Sequence, residues 1–217
     1  MITVKAILKE AKRELAQKEK VREDTRQSMR KATSLSKQAI LLIHQKRYKE
    51  AKKLIEASKE IISRLQGLAE EYPDIIYSGM FSAALQEYAE ANIFLGLIQE
   101  SRFVTPNEIN MPAADYILGL ADVIGEYRRL TLDALREGDV KKGEKCLKTM
   151  DEIYIELMAM DDTYMLVSGL RRKCDIARKI IESTRGDITQ EVRRKALENY
   201  LKQFERTLER KQQSRKG

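Results

Sequence analysis

IIYSGMFSAALQEYAEANIFLGLIQ (residues 75–99) and ADYILGLADVIGEYRRLTLDAL (residues 114–135) are the two stretches whose reading decides the fold. In the first, Met80, Ala84, Ala91 and Ile98 form one apolar stripe at about 100° per residue, the period of a helix. Glu87 falls in the middle of that stripe, and Glu90 sits at its edge beside Ala83 and Phe94. In the second, apolar residues cover most of the circumference. One narrow polar stripe remains, made by Asp115, Asp122, Glu126, Arg129 and Asp133.

Acids in such places are costly. A carboxylate within an apolar face is destabilising unless it is paired, protonated or bound to a metal. Asp122 and Glu126 are also a like-charge i,i+4 pair, which opposes the helix slightly. Four acids on two successive helices could converge, and convergent oxygen ligands are what Mg²⁺ or Mn²⁺ needs. Helix bundles do build metal sites from facing acids. The competing reading makes Glu87 a core acid held by an arginine from elsewhere, and Asp122 and Glu126 a solvated stripe with Arg129 pairing Glu126. Residues 61–135 hold only Arg64, Arg102, Arg128 and Arg129 against 11 acids, so local neutralisation is incomplete, which favours a cation.

The 217-residue chain carries +7, and its charge is unevenly spread. Residues 1–60 carry +9, residues 61–135 carry −7 and residues 136–217 carry +5. A basic start and end around an acidic, apolar middle suits a polyanion-binding protein with a metal site. With 42% hydrophobic and 35% charged residues, the composition favours long solvated helices around a real core. Ten Gly and three Pro leave few places to break helices. Cys146 and Cys174 match no metal spacing and fit a reducing compartment. There is no signal-peptide pattern and no apolar run long enough to span a bilayer, so the expectation is a soluble, cytoplasmic protein with no membrane partner.

Taken in order, a first helix is expected from about Val4 to Gln45, with no Gly or Pro inside. Arg22, Arg26 and Arg30 repeat at i,i+4,i+8 on one face, and Lys37 falls near it. Arginine's planar fork suits phosphate oxygens, and no aromatic residues interleave, so contact with an RNA backbone is favoured over base stacking. The plainer alternative is a solvated face with Glu19, Glu23 and Asp24 as intrahelical partners. A second helix is expected from Tyr48 to Ala69, and a third opens at Pro73 and ends near Ser101. Thr105 is a candidate cap in the TPNEINMP turn, and the second acidic helix runs from Pro112 or Ala113 to Gly138. Asp139 caps a helix to Met160, and Asp162 or Thr163 caps one to Arg185, stopped by Gly186. A last helix starts near Ile188. The result is seven helices in an all-α domain over residues 1–210, with a frayed polar tail over 211–217.

LLIHQKRYKEAKKLIEAS and LREGDVKKGEKCLKTM loosely match tetratricopeptide hairpins, but other spacings fail, and both fit any short αα-hairpin. No phosphate-binding Gly loop, nucleophile elbow, HExxH or Cys/His cluster is present. His44 is the sole histidine and has no motif partner, so it is read as a boundary residue near a helix end. An enzyme built from this chain must work through carboxylates and a metal.

The segment FSAALQEYAEANIFLGLIQESRFVTPNEIN, followed by PAADYILGLADVIGEYRRL, closely resembles the translin family, and within it the catalytic type represented by translin-associated factor X. The likeness spans most of the chain and is strongest in LQEYAEA and DYILGLADVIGE. It implies a seven-helix all-α bundle with a long first helix, and a metal-dependent endoribonuclease. The family's glutamates in QEYxEA fall on Glu87 and Glu90, and its acids in ADxxGE fall on Asp122 and Glu126. Glu90, Asp122 and Glu126 would ligate Mg²⁺ or Mn²⁺, and Glu87 would hold a second ion or position the attacking water. The likeness also implies a closed homo-oligomeric shell, an octamer in most members, with basic residues facing inward. Its ligand would be RNA, single-stranded or a short duplex, or single-stranded DNA, held through Arg22, Arg26, Arg30 and Lys37. The alternatives are a non-catalytic RNA- or DNA-binding shell of the translin type, and a helical-hairpin scaffold for protein partners.

Overall fold

The fold is given by a computed structural model that describes residues 3–160 and 165–213, with side chains described as far as residue 209. It contains α1 (Val4–His44), α2 (Tyr48–Leu68), α3 (Pro73–Ile76), α4 (Gly79–Glu100), α5 (Ala113–Arg136), α6 (Val140–Met158) and α7 (Leu170–Gln213). No strand occurs among the described residues. The all-α reading and the long first helix hold.

Backbone contacts divide the chain into two compact units, Met1–Val123 with Thr163–Leu170, and Ile124–Asp162 with Arg171–Gly217. In the first, α1 packs chiefly on α2 and α4. Side chains 3–20 of α1 are all exposed, and burial begins at Thr25. From there Met29, Ala32, Ser36, Ala39, Ile40 and Ile43 turn inward at helical spacing, against Ala51, Ile55, Ser58, Ile62 and Leu65 of α2. The residues at the crossing are small. Ser58 donates to the Ala32 carbonyl at 3.2 Å and meets Ser36 Oγ at 3.0 Å, so close approach leaves both buried hydroxyls bonded. The turn that follows uses Lys46 at φ 60°, with Arg47 N–H closing on Leu42 O at 2.9 Å. This is a Schellman turn with lysine in the place glycine usually takes.

In the second unit Gly138, at φ 77°, makes the corresponding turn between α5 and α6, and the Asp139 side chain accepts from Lys142 N–H at 3.0 Å. Both hairpin-like stretches are therefore ordinary αα-hairpins. Cys146 and Cys174 are both buried and form no disulfide. Among the described residues no helix is long and apolar enough to cross a membrane.

Two expected helix boundaries are wrong. The helix expected over residues 73–101 is broken: Ser78 takes an extended conformation (φ −113°, ψ 161°) between α3 and α4. A Ser-Gly pair offers little resistance to a turn, and the apolar period runs across it unmarked. Conversely, the helices expected on either side of Gly186 are one. The expected cap at Asp162 or Thr163 lies outside the described residues, and α7 begins only at Leu170, after Gly169 at φ 92°. A mid-helix glycine costs about 1 kcal/mol relative to alanine. Here the flanks outweigh it. Thr184 and Ile188 are buried, Arg185 pairs with Asp151 of α6 at 2.9 Å, and Asp187 pairs with Arg128 of α5 at 2.5 Å. The helix also runs through residues 211–213, the start of the expected tail, whose remainder lies outside the described residues.

No atom lies within 4 Å of a Cβ added at Gly186. Gly186→Ala should therefore stabilise the protein by about 0.5–1 kcal/mol, raising Tm by about 1–4 °C in a thermal scan. A lower Tm would contradict a continuous α7.

Candidate nucleic-acid interface and carboxylate site

The four basic residues chosen from sequence are brought to one side of α1. Arg22, Arg26, Arg30 and Lys37 are all exposed. Successive arginines stand about 6 Å apart along the helix axis. Arg22 and Arg26, with Thr25 and Met29, face Asp74, Ile75, Ser78 and Met80 across a groove of about 540 Å³. Arg30 and Lys37, with Thr33, Ser34, Gln38 and Leu41, face Met80 and Ala83 across a second groove of about 580 Å³. The two grooves share Met80 and lie next to each other between α1 and the α3–α4 segment, a basic channel in two parts. Two of the glutamates of the plainer reading do pair with these arginines: Glu19 lies 3.9 Å from Arg22 and Glu23 3.9 Å from Arg26, on an exposed surface where ion pairs contribute little. Met80, Ser34 and Gln38 were not legible as site residues, because their role depends on how α4 crosses α1.

One lining residue of the channel is paired with an acid. Lys37 Nζ lies 3.1 Å from Glu87 Oε1. The core-acid reading of Glu87 is thus realised in part, with a lysine from α1 instead of an arginine. Its side chain is half-buried, whereas Glu90 is the deeply buried one, with 7% of its surface exposed. The sequence stripe ranked them the other way. α4 is buried on most sides beyond Leu85, so a single apolar stripe does not measure depth there.

Glu90 lies on the side of α4 that meets α5. Ser82 Oγ hydrogen-bonds Asp115 Oδ1, and Gln86 donates to Ser82 Oγ at 3.0 Å. One turn further along α5, a Cβ added at Gly119 would stand 2.6 Å from Ala89 Cβ and from the Gln86 carbonyl, and 3.2 Å from Glu90 N. The two helices therefore touch backbone to backbone at Gly119. Asp122, three residues beyond, shares that face of α5 and is half-buried. Glu126, the next turn of the same helix, falls in the second unit and is also half-buried. The polar stripe of α5 is as expected: Asp115, Asp122, Glu126 and Asp133 are half-buried and Arg129 exposed.

The acids' tyrosine neighbours are packing residues. Burial pushes the Tyr88 and Tyr127 phenols up to about 12, so neither gives up a proton near neutral pH. His44 is half-buried against Phe94, with ring centroids 5.0 Å apart, as its boundary reading anticipated.

Carboxylate oxygens are the donors a hard divalent ion selects. The arrangement, however, is not a finished coordination sphere. Among the described residues no three Asp, Glu, His or Cys side chains stand together closely enough to hold a metal ion.

Fold and surface together define a class: an all-helical protein whose basic channel abuts buried and half-buried carboxylates on two closely crossed helices. The chain belongs to the Translin family, whose model matches residues 20–183. It is 35% identical over 193 residues to an uncharacterised protein of Methanocaldococcus jannaschii, covering 88% of this chain and 85% of that one. The crystal structure of AfC3PO is similar at a TM-score of 0.75 and 34% identity, over 85% of this chain and 96% of that one. The structure of an AfC3PO–duplex RNA complex matches with the same TM-score and 33% identity, over 85% and 95% of the chains. Apo-NeC3PO, at 24% identity and a TM-score of 0.74 over 88% and 98%, shares the fold.

The Gly119 contact generates a prediction. Gly119→Ala must push α4 and α5 apart, because the clash is with backbone and with Ala89 Cβ. Overpacking of this kind costs about 1–3 kcal/mol, which a denaturant titration would register. No loss of stability would show that the helices do not pass this closely.

Proposed function

We propose that this protein binds RNA along the α1 channel and cleaves it as a divalent-metal-dependent endoribonuclease of the translin-associated factor X type. The observation that carries the reading is the continuity of the basic channel with the acids, through Lys37 beside Glu87. The similarity to a chain in a C3PO–duplex RNA complex supports the choice of RNA as the polyanion.

In this reading Arg22, Arg26 and Arg30 hold phosphates through charge-assisted hydrogen bonds, without reading base sequence. The RNA is single-stranded or a short duplex, and single-stranded DNA would engage the same phosphate contacts. The backbone is thereby led past Met80 and Ala83 to Glu87. Glu90 and Asp122, with Glu126 on the next turn, are the carboxylates for Mg²⁺ or Mn²⁺. Side chains must turn to gather about an ion, since no three are gathered among the described residues. A bound ion would lower the pKa of a water and offset the charge that builds on the phosphate oxygens. Glu87 orients the attacking water or helps to hold an ion. Chains assemble into a closed homo-oligomeric shell, an octamer by analogy with the family, in the cytoplasm.

The test is incubation of the protein with end-labelled single-stranded RNA in Mg²⁺, and in EDTA. Internal cleavage should occur only with Mg²⁺. Asp122→Asn should lower it by at least about 100-fold, equivalent to about 2.7 kcal/mol, while RNA affinity in EDTA changes little. Binding without cleavage under Mg²⁺ or Mn²⁺ would favour the non-catalytic shell. Absence of RNA binding would remove the reading altogether.

A further inference from the structure

We propose that Lys37 is an exchangeable cap, which leaves Glu87 for an RNA phosphate and so couples occupation of the channel to unmasking of the carboxylate. The inference rests on the RNA-binding reading above and adds a positioning role that the acid and arginine assignments do not contain.

Three observations carry it. The first is placement: Lys37 lines the same groove as Arg30, Ser34 and Gln38, and its ammonium also reaches Glu87. The second is the asymmetry of the pair. The Lys37 side chain is 62% exposed and the Glu87 side chain 23%, so a ligand arriving from solvent has readier access to the ammonium than to the carboxylate. The third is the contact itself, a single N–O approach of 3.1 Å. A single contact from so exposed a lysine is held weakly. Lysine suits exchange, being a point charge on a four-carbon stem that can swing between acceptors, whereas arginine's fork favours a fixed two-point grip. A phosphate in the groove offers more than one anionic oxygen and competes directly with Glu87 for the ammonium.

The exchange has a thermodynamic consequence that needs no metal and no catalysis. In free protein, Glu87 competes with RNA for Lys37. Removing the carboxylate's charge should therefore tighten RNA binding, and only through Lys37. A generic gain from removing a negative charge would not need Lys37 at all.

Anisotropy titrations of a labelled single-stranded RNA oligonucleotide, in EDTA at low salt, would compare the wild type, Glu87→Gln, Lys37→Met and the double variant. Thermal scans would confirm that all four are folded; both positions are at least partly exposed, so the fold should tolerate the changes. Glu87→Gln should tighten binding by about two- to five-fold, the range set by a surface ion pair, and should steepen the salt dependence, by up to about one unit of slope for one added phosphate contact. Lys37→Met should weaken binding. In the Lys37→Met background, Glu87→Gln should change nothing. Equal tightening in both backgrounds, or none in either, would overturn the exchange while leaving RNA binding in place. No affinity in any of the four proteins would overturn the RNA-binding reading and the exchange with it.

Discussion

The crossing of α4 and α5 at Gly119 is the constraint on which the rest of the site depends. A side chain there would sit 2.6 Å from the Gln86 carbonyl, so the helices can lie this close only because residue 119 has none. That approach puts the face of α4 bearing Glu90 against the face of α5 bearing Asp122. It also fixes which side of α4 remains for α1, and therefore where Lys37 can reach Glu87. The acids are tolerated for different reasons. Glu87 is half-buried and paired with a lysine. Glu90 is almost wholly buried, in a place where a carboxylate must have a polar partner. Buried ionic groups seldom stabilise a fold better than apolar residues of the same size would.

Much of the architecture was legible because the governing signals were local. Helical spacing identified the acid-bearing helices. Gly138 and Asp139 marked a real turn and cap, which the Asp139–Lys142 hydrogen bond confirms. Where local signals competed with tertiary ones, the reading failed. Gly186 looks like a stop, but paired and buried neighbours on both sides carry the helix through it. Ser78 breaks a helix whose apolar period is uninterrupted, because a turn needs only a permissive dipeptide. The site shows the same division. Arg22, Arg26, Arg30 and Lys37 share a face by spacing alone, and they do line the two adjoining grooves of the channel. The far wall of that channel, Met80 and Ala83, comes from another helix and carries no signature of its own. The relative depths of Glu87 and Glu90 were inverted for a related reason: a helix enclosed on most sides has no single inner face.

Membership of the Translin family and similarity to C3PO chains agree with this picture at the level of fold. The physical content lies in the surface. Basic and acidic groups are usually kept apart on a nucleic-acid-binding protein, since acids repel the ligand. Here they adjoin, and one lysine stands between them. That juxtaposition is what a protein must have if it is to draw a phosphate backbone towards carboxylates.

The central claim is that RNA lies in the channel between α1 and the α3–α4 segment, ending beside Glu87. Photocrosslinking of thiouridine-labelled RNA, with mass spectrometry of the modified peptides, tests it most directly. The account predicts crosslinks to residues within 22–41 of α1 and 78–90 at the start of α4. Crosslinks confined to α2 or α7 would contradict it.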